Sequence, residues 1–119
     1  MKIVLCVAIG GACGSVLRYW VSLLRTRGVF PVSTLVANVL GCFLIGLFSG
    51  YFLRFPHIPV EWRLLLVTGL CGGFTTFSTF ANEHIQLFRQ HHYKTAISYM
   101  SVSLILGISA CFLGLILTR

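Results

Sequence analysis

The chain has 119 residues, of which 57% are apolar and only 9% charged, and its mean hydropathy is +0.94. Soluble domains carry roughly 45–50% apolar and about 25% charged residues, so this chain cannot cover a water-facing surface of that size. Its length excludes two independent domains, and its net charge of +7 is scattered rather than gathered into a basic stripe, which argues against nucleic acid.

The charges fall at Lys2, Arg18, Arg25, Arg27, Arg54, Glu61, Arg63, Glu83, Arg89, Lys94 and Arg119, leaving uncharged stretches at 3–17, 28–53, 64–82 and 95–118. A helix crosses a bilayer with about 20 mostly apolar residues. The chain is therefore expected to be an all-α membrane protein: one domain over 1–119, with four transmembrane helices at about 3–24, 33–53, 62–88 and 95–117. Those spans leave no room for a catalytic domain, and no enzyme activity is expected.

The first span includes Arg18 and continues to Leu24, longer than a signal peptide needs, so the weak cleavage-site pattern Gly11-Ala12-Cys13 is not expected to be processed. Gly10 and Gly14 are four apart, a spacing that lets helix backbones approach closely in lipid. Arg18 either snorkels to the headgroups or faces an aqueous vestibule and attracts anions. In the second span, Gly41, Cys42, Gly46, Ser49 and Gly50 form another small-residue face. Asn38 stands out there. Its carboxamide must bond a neighbouring helix or line a wet path.

The third span reads Gly69-Leu70-Cys71-Gly72-Gly73-Phe74-Thr75-Thr76-Phe77-Ser78-Thr79-Phe80. Paired glycines cost a helix about 1 kcal/mol each, and Thr and Ser compete for backbone hydrogen bonds. This predicts a helix broken near mid-membrane, around Gly72–Thr76, a device that recurs at ion and substrate sites. On the helix beyond the break, Phe74, Phe77 and Phe80 are expected along one side, with Thr75, Ser78 and Thr79 on an adjacent stripe. Aromatic ring edges are positive, so rings turned edge-on to a passage can stabilise an anion without a formal charge.

His84, His91 and His92 fall near the exit of this span, where a role at headgroup level is expected. The fourth span carries Tyr99 and Ser103 on one face, and Gly107, Ala110 and Gly114 for close packing. The five cysteines, at 6, 13, 42, 71 and 111, form no CxxC pair and read as small apolar fillers.

Four spans place the N-terminus, the 2–3 loop and the C-terminus on one side, with Lys2, Arg54, Arg63 and Arg119. The other side holds Arg25, Arg27, Arg89 and Lys94, with Arg18 near it. Cytoplasmic loops normally collect Lys and Arg. A balance this even fits insertion in both orientations and an antiparallel, dual-topology dimer, which is an inverted repeat made from two copies.

Three motifs together resemble the CrcB/Fluc fluoride channels over the whole chain: Gly10-Gly11-x-x-Gly14-x-x-x-Arg18-Tyr19; Thr34-Leu35-x-x-Asn38-x-x-Gly41-x-Phe43-x-x-Gly46; and Gly72-Gly73-Phe74-Thr75-Thr76-Phe77-Ser78-Thr79-Phe80. The third is the most specific. The resemblance implies a fluoride-selective channel for passive export of cytoplasmic fluoride, built as an antiparallel homodimer in the bacterial plasma (inner) membrane. It implies that Asn38 donates to fluoride, that Phe77 and Phe80 present ring edges, and that Ser78 and Thr79 add polar contacts. Thr34, Tyr99 and Ser103 match a polar track, Arg18 a conduction-side arginine, and Glu83 a polar position at the end of the third span. Gly72 and Thr75 match positions whose main-chain carbonyls hold a structural sodium ion at the dimer interface. Two departures stand out: Ser33 where the family often has Gly, and Gly107 where some members have Ser. The other reading is a small multidrug-type, proton-coupled cation exporter. It would need a membrane-embedded carboxylate, whereas Glu61 and Glu83 are expected near segment ends.

Overall fold

The computed structural model describes residues 1–24 and 26–119; Arg25, one of the loop cations in the charge balance, lies outside the described residues. Among the described residues there are four helical spans, Lys2–Ser22, Val32–Arg54, Val60–Arg89 and Tyr93–Thr118, each long and apolar enough to traverse a bilayer. The first ends two residues earlier than the composition suggested. Leu23 and Leu24 turn back onto the carbonyls of Trp20 and Val21, tightening and closing the last turn of helix α1 (Lys2–Ser22). Helix α2 (Val32–Arg54) begins directly after Pro31, which presets the entry, and helix α6 (Tyr93–Thr118) begins after a short turn at 90–92.

The third span is composite. Helix α3 (Val60–Arg63) runs into a π-helical stretch, Leu64–Cys71, then a short helix α4 (Gly72–Phe74). Two extended residues follow, Thr75 at φ −82°, ψ 151° and Thr76 at φ −149°, ψ 118°, before helix α5 (Phe77–Arg89). The break bisects the 30-residue span. It falls after the glycine pair and not on it, because Gly72 and Gly73 are both helical. Gly73 is small for another reason: a Cβ there would run into the backbone of Gly11. Consequently Phe74 and Thr75 precede α5 and do not continue its faces, as the expected Phe74-Phe77-Phe80 and Thr75-Ser78-Thr79 stripes required.

Without a hydrophobic drive between helices in lipid, close backbone approach has to supply the packing. Two helix pairs achieve it. In the first, α1 lies on the π-helical stretch, where a Cβ on Gly10 would overlap the Leu65 carbonyl and one on Gly69 would crowd Val7 and Gly10. In the second, α2 lies on α6, where a Cβ on Gly46 would overlap the Cys111 carbonyl and one on Gly114 the Phe43 carbonyl. The Thr118 hydroxyl adds a bond across the same seam to the Leu47 carbonyl, 2.9 Å away. The break and α5 lie where these two pairs meet.

Candidate functional site

A broken helix frees backbone groups that must be satisfied inside the protein. Asn38 does this for the peptide of Thr76. Its Oδ1 accepts from the Thr76 amide at 2.9 Å, and its Nδ2 donates to the Thr76 carbonyl at 3.3 Å. One carboxamide thus replaces both partners that a continuing helix would have supplied. An amide nitrogen carries two hydrogens, so Asn38 keeps a second donor after this pairing.

Thr76 also organises the start of α5. Its hydroxyl accepts from the Thr79 amide at 3.4 Å as an N-cap, and lies 3.1 Å from Ser78 Oγ and 3.3 Å from Thr79 Oγ1. Ser78 and Thr79 are exposed and gathered around this cap. Thr75 turns the other way, its hydroxyl donating to the Cys71 carbonyl at 2.9 Å, while its methyl fills the space above Gly41.

Two cavities meet at Thr76. One, of about 210 Å³, is lined by Arg18, Ser33, Thr34, Thr76 and Thr79, with further hydroxyls from Ser15 and Tyr19. Arg18 is only half-exposed and shares this cavity with Thr34 instead of standing clear of the fold. The second, of about 290 Å³, is lined by Asn38, Thr75, Phe77, Phe80 and Ser103, with Cys42 at its wall. Phe77 and Phe80 lie with centroids 5.9 Å apart and planes inclined at 34°. Phe77 is 79% exposed while its ring lines this cavity. Among the described residues the Ser103 hydroxyl is buried without a hydrogen-bond partner, on the same cavity. At Gly107 an added Cβ would meet Cys42 Sγ at 3.5 Å, ordinary contact distance, so a side chain of serine size fits there.

Beyond Phe80, the polar residues of three helices converge on one carboxylate. Thr34 Oγ1 donates to Glu83 Oε1 at 2.6 Å and the Tyr99 hydroxyl donates to Oε2 at 2.7 Å. Glu83 therefore sits well inside α5 and is partly covered, not at the mouth of the segment. His84 departs further from expectation. It is buried, with its ring packed against both Phe80 and Tyr99, while His91 and His92 are exposed in the following turn. The helical period could have shown this. His84 lies four residues after Phe80 and three before Leu87, on the buried face of α5. Thr76 was the other omission, since no periodic pattern marks a residue that lies between two helices.

The structure thus brings Asn38, Phe77, Phe80 and Ser103 to one cavity, Arg18, Thr34 and Thr79 to the adjoining one, and Tyr99 to Thr34 through Glu83. Gly72 lies before the break and Thr75 within it, on the wall of the Asn38 cavity, and among the described residues nothing lies within 4 Å of a Cβ built on Gly72.

The family model described as "CrcB-like protein, Camphor Resistance (CrcB)" matches residues 5–115. A fluoride-specific ion channel FluC from Flavobacterium psychrophilum is 44% identical, covering 100% of this chain and 98% of its own length. One of the same name from Azobacteroides pseudotrichonymphae is 43% identical, with coverage of 100% and 98%. A third, from Rhizobium etli, is 48% identical over 97% of this chain and 94% of its own.

Proposed function

We propose, because the chain belongs to the CrcB-like family, that it is a fluoride-selective ion channel carrying cytoplasmic fluoride passively out of the cell. The observation that carries the reading is the cavity at the helix break, where a spare amide hydrogen of Asn38, an unpartnered Ser103 hydroxyl and the rings of Phe77 and Phe80 converge without a formal charge. Fluoride is small and strongly hydrated. A path of donors and positive ring edges offsets the loss of its water, yet holds the ion loosely enough to let it leave.

In this reading Arg18 draws the anion into the hydroxyl-lined cavity beside Thr34 and Thr79. Asn38, Phe77 and Phe80 then pass it across the break, with Ser78 and Thr79 at the cap, and Ser103 continues the track along α6, where Tyr99 backs it with its hydroxyl hydrogen given to Glu83. Glu83 receives no ion. Its carboxylate fixes the hydroxyls of Thr34 and Tyr99 in place. The relatives' shared name and the uncharged lining of the central cavity favour this over proton-coupled cation export.

The exposed ring of Phe77 and the even charge balance support an antiparallel homodimer in the inner membrane, the second copy closing each passage. A structural sodium ion at the dimer axis suits the carbonyls of Gly72 and Thr75. In an unbroken helix Gly72 O would meet the Thr76 amide and Thr75 O the Thr79 amide. Those amides instead donate to Asn38 Oδ1 and Thr76 Oγ1. Oxygen ligands of this kind suit a hard cation. A sodium ion bound there would supply positive charge that joins the copies.

The test is ion-selective-electrode recording of fluoride efflux from liposomes holding this protein alone, with chloride as control. Rapid fluoride release without chloride release is the expected result. Silence from dimeric, helical protein would remove the channel reading.

A further inference from the structure

His84 plays no part in the path described above, yet it stands directly behind it. The side chain is 5% exposed in the middle of α5. Its Nδ1 lies 2.8 Å from the carbonyl oxygen of Phe80, one turn back, and its Nε2 lies 3.2 Å from the carbonyl oxygen of Ala96 on α6. Carbonyl oxygens only accept. Both bonds therefore form only when both ring nitrogens carry protons, and a neutral imidazole would make one bond and turn a lone pair towards the other oxygen.

Two aromatic rings pack against the imidazole. Tyr99 is stacked at 4.9 Å and 11°, and Phe80 packs at 4.3 Å and 54°. Phe80 and Tyr99 also touch each other, at 5.0 Å between centroids. An imidazolium in this position has aromatic neighbours suited to a cation. The titratable groups around it are Tyr99 on α6 and Glu83, next in sequence on α5, whose carboxylate takes the Tyr99 and Thr34 hydroxyls. The segment before α2, and α2 itself, bring the apolar Phe30 and Leu35 to this cluster, and Thr34 to Glu83.

We propose that His84, carrying both ring protons, is a positioning residue that ties α5 to α6 and so fixes Phe80 and Tyr99 on the fluoride path, and that losing one proton releases the tie and slows conduction. This rests on the channel reading. Its sign is definite: conduction is highest at low pH, where both bonds are made, and falls as pH rises.

The experiment measures fluoride efflux from liposomes with equal pH on both faces, over about pH 5 to 8, the interval in which imidazoles change charge. Leak from protein-free liposomes is subtracted at each pH. The protein is used as the full chain, alongside a variant with His57, His91 and His92 all replaced by Gln, which leaves His84 as the only imidazole. Both are expected to slow several-fold with rising pH. His84→Gln is expected to be slower at low pH and flat. Nitrogen-15 spectra of the single-histidine variant should show two protonated ring nitrogens converting to one over the same interval, which keeps the test open if His84→Gln does not fold. Flux that is present but flat with pH, a fall that persists in His84→Gln, or a ring singly protonated throughout would each overturn the proposal. Absence of fluoride flux at every pH would overturn the channel reading, and this proposal with it.

Discussion

Asn38 holds the Thr76 peptide with one carboxamide, and in the proposed channel its remaining amide hydrogen serves the anion as a second duty. The two can be separated by mutation. Asn38→Asp retains an acceptor for the Thr76 amide but sets a carboxylate against the Thr76 carbonyl and on the anion path. We expect fluoride efflux indistinguishable from protein-free liposomes in a variant that still purifies as a helical dimer. Phe77→Ile removes the positive ring edge while keeping an apolar side chain at an exposed position, so flux should drop by at least tenfold with little change in melting temperature. Equal flux in that variant would relocate the anion contact to Phe80 and the hydroxyls. The importance of Asn38 was legible from sequence because a lone amide in an apolar span must be paired. Its partner was not, because Thr76 becomes an acceptor and donor pair only once the helix stops.

At the scale of elements, four spans could be read from the gaps between charges, since lipid solvation depends on composition over about 20 residues. The break was also legible, but its position was displaced. The propensity cost of Gly72 and Gly73 pointed at the glycines, whereas packing of Gly73 on Gly11 keeps them helical and leaves Thr75 and Thr76 to extend. The π-helical stretch Leu64–Cys71 has no compositional mark at all, being ordinary apolar sequence. The register of α5 inherits these local decisions, which is why the Phe74 and Thr75 stripes failed while Phe77 and Phe80 remain together. Helix pairing makes its own prediction. Gly114→Val drives a branched side chain into the Phe43 carbonyl, and overpacking of this kind costs about 1–3 kcal/mol. The variant should unfold at lower denaturant in a detergent titration, whereas Gly107→Ser, with room beside Cys42, should not.

For the whole molecule, the even distribution of cations between the two sides is the feature that composition exposes best, and orientation is where it acts. Two variants would test it. One adds lysines to the 2–3 loop and the C-terminus; the other adds them to the 1–2 and 3–4 loops. Each should insert in a single orientation and conduct poorly alone, and co-expression should restore fluoride efflux. Full efflux from either variant alone would refute an antiparallel pair.

The bridge between the two helix pairs also has a genetic consequence. Only Asn and Gln side chains offer an acceptor and a donor together in an amide, and no single-nucleotide change converts an Asn codon to a Gln codon. Every one-step missense variant at position 38 therefore gives up the planar amide that pairs with both groups of Thr76. Neutral drift has no first step to take there, and the site must be kept or lost outright.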